Sequence, residues 1–306
     1  MAGRSVGLPL EALWSAPAEG ATATRAAAEP RAPAQSRGGP LPAALAARFG
    51  GELSVALHPD RPTIVANFVT SLDGVVALGP SEPSAGGGEI SGFSESDRFM
   101  MALLRGLADM VVVGAGTVRA GRNHEWTPRR VAPDFAEAFA LMRSEMGLAP
   151  QPTTVVVTAR GDVDPTHPGL SAPDVPVIVV TTRAGAARLA GLSLPANMSV
   201  EIAGEDGSGE TGPHVSPQAV LDVVRAAGAR LVLCEGGPHL FGDLLAAGLI
   251  DELFLTLAPQ IIGRDDAARR FALVEGISFG APGRWASLAA VHRAGDDLFL
   301  RYRFVP

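Results

Sequence analysis

Residues 231–240 read LVLCEGGPHL. The run from Arg230 to Cys234 has the length and apolar character of a buried strand. Glu235 ends it, and Gly236 and Gly237 follow. Pro238 then opens a helical pattern to Ala247, with Leu240, Phe241, Leu244 and Leu245 on one face. Strand, glycine turn and helix in this order form the repeating unit of a parallel α/β sheet, whose ligands lie at the carboxyl ends of strands. Glu235 occupies such an end. Proline suits the first helical position, and the unpaired N–H groups there favour an anion such as phosphate. Taken alone, the turn leaves two readings open: a ligand site, or an ordinary connection with Glu235 facing solvent.

Outward from this turn the same alternation recurs. Strands are predicted at Thr63–Thr70, Met110–Val113, Thr153–Val157, Val177–Thr181, Met198–Ile202, Leu253–Ala258, Trp285–Val291 and Leu298–Phe304. A helix over Ser94–Leu107 carries Phe99, Met100, Leu103, Leu104 and Leu107 on one stripe, with Ser94 and Asp97 spaced as a capping box. Another precedes the Arg230 strand at Pro217–Ala227. The fold class expected is α/β, a mostly parallel sheet with helices on both faces and antiparallel strands added at one edge.

The chain has 306 residues, 47% hydrophobic, and a net charge of −7. It is long enough for a large core and offers no basic footprint for nucleic acid. No apolar stretch reaches a membrane span, and no signal peptide is expected. A single cysteine, Cys234, fits a reducing cytoplasm and excludes paired-cysteine zinc chemistry. No metal site is expected. Residues 15–47 are rich in Ala, Pro, Gly and Arg and read as a mobile linker containing a short helix at Leu41–Phe49, with residues 8–14 docking on the body. Residues 1–59 are thus an N-terminal extension, partly disordered, and 60–306 the folded domain.

Further segments carry chemistry. Val111–Arg122, VVVGAGTVRAGR, runs a strand into Gly114 and Gly116, with Thr117 able to donate to a phosphate. It lacks the third glycine and the distal acid of the dinucleotide fingerprint. Two such turns point to one extended ligand with several anionic groups; Arg119, Arg122, Arg129 and Arg130 each read first as solvated surface groups, with one of them a candidate partner for a 2′-phosphate. In Phe68–Gly74, FVTSLDG, Asp73 is either functional or a turn cap. Gly86–Phe93, GGGEISGF, reads as a mobile loop able to close over a ligand, or as a plain connector. Cys234 reads as a buried thiol rather than a nucleophile.

The set SLDG at 71–74, LLRGLAD at 103–109, VGAGTVRAG at 113–121 and CEGGPHL followed by GLIDELFLTLAPQIIG at 248–263 resembles the riboflavin-pathway pyrimidine reductases, over about residues 60–306. The resemblance implies a dihydrofolate reductase-like three-layer αβα fold with a mixed, mostly parallel central sheet. It also implies a homodimer, NADPH as cofactor, and a small-molecule substrate, 5-amino-6-(5-phosphoribosylamino)uracil. A pterin or dihydrofolate acceptor and an inactive NADPH-binding homologue are the alternatives. It further places Val69, Ser91, Gly114, Gly116, Thr117, Gly121, Gly236, Gly237, Pro238, His239, Leu240 and Phe241 at the cofactor, and Glu89, Arg105 and Glu235 at the substrate; no catalytic residue is assigned. Asn67 stands where many members have lysine, and Gly121 where many have aspartate, so the acceptor and the phosphate contacts are expected to differ. The deaminase half of the bifunctional proteins is not in this sequence, so the preceding step is expected in another chain.

Overall fold

The computed structural model describes residues 8–16, 35–79, 87–207, 212–265 and 268–304. Its strands are β1 (Glu11–Ser15), β2 (Ser36–Gly39), β3 (Leu53–Ala56), β4 (Thr63–Thr70), β5 (Val75–Leu78), β6 (Met110–Gly114), β7 (Thr153–Val157), β8 (Val177–Thr181), β9 (Met198–Ile202), β10 (Leu231–Cys234), β11 (Glu252–Leu257), β12 (Arg270–Ala272), β13 (Ala286–Ala294) and β14 (Asp297–Phe304). The α-helices are α1 (Ala43–Phe49), α2 (Gly87–Ser91), α3 (Glu95–Leu107), α4 (Ala115–Ala120), α5 (Pro128–Val131), α6 (Ala136–Glu145), α7 (Pro168–Ser171), α8 (Arg183–Ala190), α9 (Pro217–Ala226) and α10 (Pro238–Ala246).

The main sheet runs β1-β13-β14-β11-β4-β10-β6-β7-β8-β9. From β11 to β9 every neighbouring pair is parallel, and β14, β13 and β1 join antiparallel beyond β11. Both faces of the parallel part are covered, so its strands are apolar on both sides. Leu231 and Leu233 of β10 pack in one core with Leu103, Leu104 and Leu107 of α3, while Val232 and Cys234 pack in the other with Val220 and Val224 of α9 and Phe241 and Leu244 of α10. Full burial of each such leucine or phenylalanine is worth about 1.5–3 kcal/mol. Burial without a base nearby pushes the Cys234 thiol up to about 12, so it is an inert packing group. Among the described residues no helix is long and apolar enough to cross a membrane.

Three expectations change. The linker reading fails over residues 35–47: β2 pairs antiparallel with β3, and Leu41, Leu45 and Phe49 enter the core that holds α3. Composition misled there because SRGG has no apolar side chain. Ladder bonds hold it, together with a bidentate ion pair from Arg37 to Asp109 at 3.1 and 3.2 Å. Residues 17–34 of that stretch lie outside the described residues. The docking segment is β1, paired with β13.

Second, residues 87–91 of the glycine loop form α2 (Gly86 lies outside the described residues). Its glycines serve close approach. A Cβ on Gly87 would stand 3.0 Å from Val69 Cγ1, and one on Gly88 2.9 Å from the Phe93 ring. Gln260 Nε2 donates to the carbonyls of Glu89 and Ile90 and ties α2 to the segment after β11. Third, the antiparallel edge expected from the last strands gains a member from the N-terminal stretch, since β14 lies between β11 and β13, and β1 covers β13.

Candidate active site

β10 returns to the sheet between β4 and β6, so the connections from β6 and β10 leave side by side. That is the topological switch at which open α/β sheets form their crevice. The two glycine turns meet there. Gly114 N–H donates to Gly236 O at 2.7 Å, and Glu235 N–H to Val112 O at 3.0 Å. The Gly236–Gly237 peptide is cis, and Gly236 has φ +81°. A Cβ on Gly114 would lie 3.6 Å from Gly237 N, and one on Gly237 3.4 Å from Thr117 Oγ1. Side chains at these places would fill the gap between the turns, so the residues present fit a ligand whose backbone passes close to both helix starts. Asp73 is a turn group. It takes Ser71 Oγ at 2.6 Å and the N–H groups of Ile262 and Gly263, and these bonds hold its carboxyl down at about 2.

Glu235 points to the α3 side. Its side chain is 8% exposed and its partner Arg105 is fully buried. Arg105 Nε donates to Oε1 at 2.7 Å and Nη2 to Oε2 at 2.6 Å. The remaining donors go to Glu125 O, Thr127 O and His124 Nε2. All five N–H groups of the guanidinium are therefore committed within the chain. Glu235 keeps free lone pairs. His124 must carry its proton on Nδ1 to accept from Arg105, and burial, with Arg105 and Arg130 beside it, lowers it to about 3. It is a neutral ring, held edge-on to Trp126 at 5.2 Å.

A family model described as the RibD C-terminal domain matches residues 62–283. The chain belongs to this family. It is 29% identical over 242 residues to a 2,5-diamino-6-ribosylamino-4(3H)-pyrimidinone 5′-phosphate reductase of Methanothermobacter thermautotrophicus, covering 79% of this chain and 98% of that protein. It is 27% identical over 270 residues to the riboflavin biosynthesis protein RibD of Mycobacterium tuberculosis, covering 87% of this chain and 61% of that one. A pyrimidine reductase-like protein from Corynebacterium diphtheriae superposes with a TM-score of 0.58 at 22% identity, over 80% of this chain and 92% of the other.

In this RibD-type domain the residues expected at the cofactor fall into two groups. Gly114, Gly116, Thr117, Gly236, Gly237, Pro238, His239 and Leu240 line the facing turns and helix starts. Gly121 caps α4, with His124 against it and its carbonyl 3.1 Å from His167 Nε2. Phe241 is fully buried against Phe68, ring centroids 4.9 Å apart, so only its backbone can meet a ligand. Val69 of β4 packs against Gly87 of α2, the helix that ends in Ser91. The arginines divide. Arg119 pairs with Asp162 at 2.6 Å, Arg129 pairs with Asp174 and Glu125, and Arg130 donates to Asn123 O.

Sequence reasoning missed Asp97. It was read as half of a capping box, and Ser94 Oγ does accept from Asp97 N–H at 3.3 Å. The carboxylate turns inward instead, to the hydroxyls of Thr256 and Ser91, and is 5% exposed. A signal was present: Asp97, Met100 and Leu104 are spaced i, i+3, i+7, so Asp97 lies on the apolar stripe. Burial, followed by the charges of Asp297 and Glu235, raises its carboxyl to about 6 against the Thr256 and Ser91 bonds. The folded state thus binds the proton more tightly than the unfolded chain. Stability is highest below the unfolded value of 3.8 and falls as pH rises to about 6, by roughly 3 kcal/mol in all. Asp97→Asn removes this cost, so its melting temperature is expected to exceed the wild type's by several degrees at pH 7. The two should converge near pH 4; a constant difference across that range would exclude the linkage.

Proposed function

We propose that this domain is a reductase of a ribosylaminopyrimidine phosphate in riboflavin biosynthesis, with NADPH as the reductant. The facing starts of α4 and α10 would hold NADPH, which when bound would supply the hydride for ribosyl C1; the ring C1–O bond would break there and its oxygen take a proton. The hydrogen bond that joins the two glycine turns carries this reading, because it builds one cleft from the starts of α4 and α10. Gly114, Gly236 and Gly237 let a pyrophosphate approach the backbone, and Thr117 borders it. Glu235, held rigid by Arg105, accepts from a hydroxyl or amino group of the acceptor. Arg105 itself acts through Glu235 as a positioning residue.

The relatives support two acceptor classes, a diaminopyrimidinone and the uracil of the bifunctional proteins. The test is loss of NADPH absorbance at 340 nm with each ribosylamino phosphate. Glu235→Gln is expected to lower kcat/KM for the acceptor by about 10²-fold, as one lost charge-assisted contact implies, while the NADPH Kd changes less than threefold. Tight NADPH binding without turnover of either pyrimidine would count against this reading. Homodimer assembly belongs to the same proposal and is tested by light scattering.

A further inference from the structure

We propose that the cavity between α1, α3 and the antiparallel end of the main sheet is a binding site for a small planar monocarboxylate. The cavity measures about 90 Å³. Sites for drug-sized ligands run from about 300 to 1,000 Å³, so this one takes a single ring or less. It lies apart from the cleft formed by the two glycine turns, and its test does not depend on the reductase reading.

Position comes first. The floor is the face of the antiparallel strands that looks toward α3. Asn67, Phe254, Arg301, Ala290 and Ser15 stand side by side in one row across β4, β11, β14, β13 and β1. Phe299 and His292 pair in the next row. Met100 of α3 and Phe49 at the end of α1 close the space from the other side. Ser15, Phe49, Ala290, His292, Phe299 and Arg301 all lie outside the matched stretch 62–283. Most of the enclosure is therefore built by parts of the chain that the family model does not reach.

Chemistry comes second. Three polar groups line this hollow with donors that no described residue takes up. The Asn67 amide is 8% exposed and makes no side-chain hydrogen bond. The half-buried His292 ring packs on Phe49 with centroids 4.9 Å apart and makes none either. Arg301 spends Nε on Glu252 and Nη2 on Ser54 O, and keeps Nη1 unused. A few convergent polar groups in an apolar hollow are the mark of a ligand site. Charge selects the ligand. Glu252 takes both Arg301 at 2.7 Å and Arg303 at 3.1 Å, so one positive charge is left in excess beside the cavity. Burial and Arg301 lower the titration of His292, so its ring is neutral and offers one N–H. Glu52 also lines the cavity, but it is exposed at the rim, where salt screens it. Asp97 bonds Thr256 from the α3 side and does not line the cavity. An aromatic carboxylate matches these groups. Its oxygens accept from the N–H donors of Arg301, Asn67 and His292, and its ring meets Phe254, Phe49 and Phe299.

The test uses benzoate, with benzamide as its neutral counterpart and inorganic phosphate as an anion without a ring. Calorimetry on the full chain is expected to give a benzoate Kd of about 1 mM, ordinary for a ligand of that size. Benzamide and phosphate should bind roughly tenfold more weakly or not at all. Ala290→Leu fills the floor, and Arg301→Gln removes the cation while Arg303 still holds Glu252. Each should weaken benzoate by about tenfold or more. Should either variant fail to fold, methyl NMR of the wild type decides. The Met100 methyl, assigned through Met100→Leu, should shift on adding benzoate, while that of Met198 on β9 stays. No binding at about 20 mM, equal binding of benzamide or phosphate, full affinity in folded Ala290→Leu, or an unmoved Met100 methyl would overturn the proposal. Release of benzoate by NADPH would place it in the cleft and overturn it too. Failure of NADPH to bind would touch only the reductase reading.

Discussion

Replacing Arg105 by alanine is expected to cost about 3–5 kcal/mol of stability, because it leaves Glu235 buried without a cation. The loss reaches further than one ion pair. Glu125 O, Thr127 O and His124 Nε2 each lose a donor in the same step. Arg105→Lys should rescue only part of this, since an ammonium cannot reproduce a planar fork that serves five acceptors. Replacing both partners with leucine is expected to be milder than Arg105→Ala alone, because no charge then remains buried. Urea denaturation of the three variants gives the order. A midpoint for Arg105→Ala within about 1 kcal/mol of wild type would show that water reaches Glu235 and that the pair is not closed. The pyrimidine turnover of any folded Arg105 variant should fall with the freedom that Glu235 gains, while NADPH affinity, which the proposed function assigns to the glycine turns, should be largely kept.

The second large effect is expected at Gly236. Its φ of +81° already disfavours alanine by about 1–2 kcal/mol. The added Cβ would also stand 2.9 Å from the Phe68 ring, which is itself packed on Phe241. Displacing a ring in a filled core costs about 1–3 kcal/mol more. Because Gly236 O accepts from Gly114 N–H, the strain passes straight into the cleft. Gly236→Ala should therefore weaken NADPH binding by more than tenfold in a fluorescence titration. Gly248→Ala is the control. It has φ +70° but nothing within 4 Å of its Cβ, so it should lose some stability and no NADPH affinity. Equal NADPH affinity in the two variants would remove the cleft from the explanation.

Much of this fold was legible before any coordinates. Apolar runs at strand length and the stripe on α3 report burial directly, and the strands that carry the site follow them closely. β2 was not legible, because a strand held by backbone ladder bonds and an ion pair has no side-chain pattern to read. α2 was not either. Its glycines look like mobility in one dimension and are close contacts with Val69 and Phe93 in three. Within the site, Glu235, Arg105 and the two glycine turns stood out by their place at strand ends. Asp97 did not, since a carboxylate three residues after Ser94 has a sufficient local explanation as a cap.

By itself the sequence determined the order of the main-sheet strands from β4 to β11 and of the helices α3, α9 and α10, the family, and which strand ends carry glycines and a carboxylate. These depend on local periodicity and on motifs of a few residues. Only the tertiary structure decided what each charged group can do. Arg105 and Glu235 are 130 positions apart, and only their meeting shows that the arginine is fully committed and the glutamate is not. Asp97 and Thr256 are likewise brought together by a crossover, and the burial that makes a carboxylate costly exists only once both faces of the sheet are closed. Charge in a protein is governed by desolvation and by partners, and neither is a property of neighbouring residues in the chain.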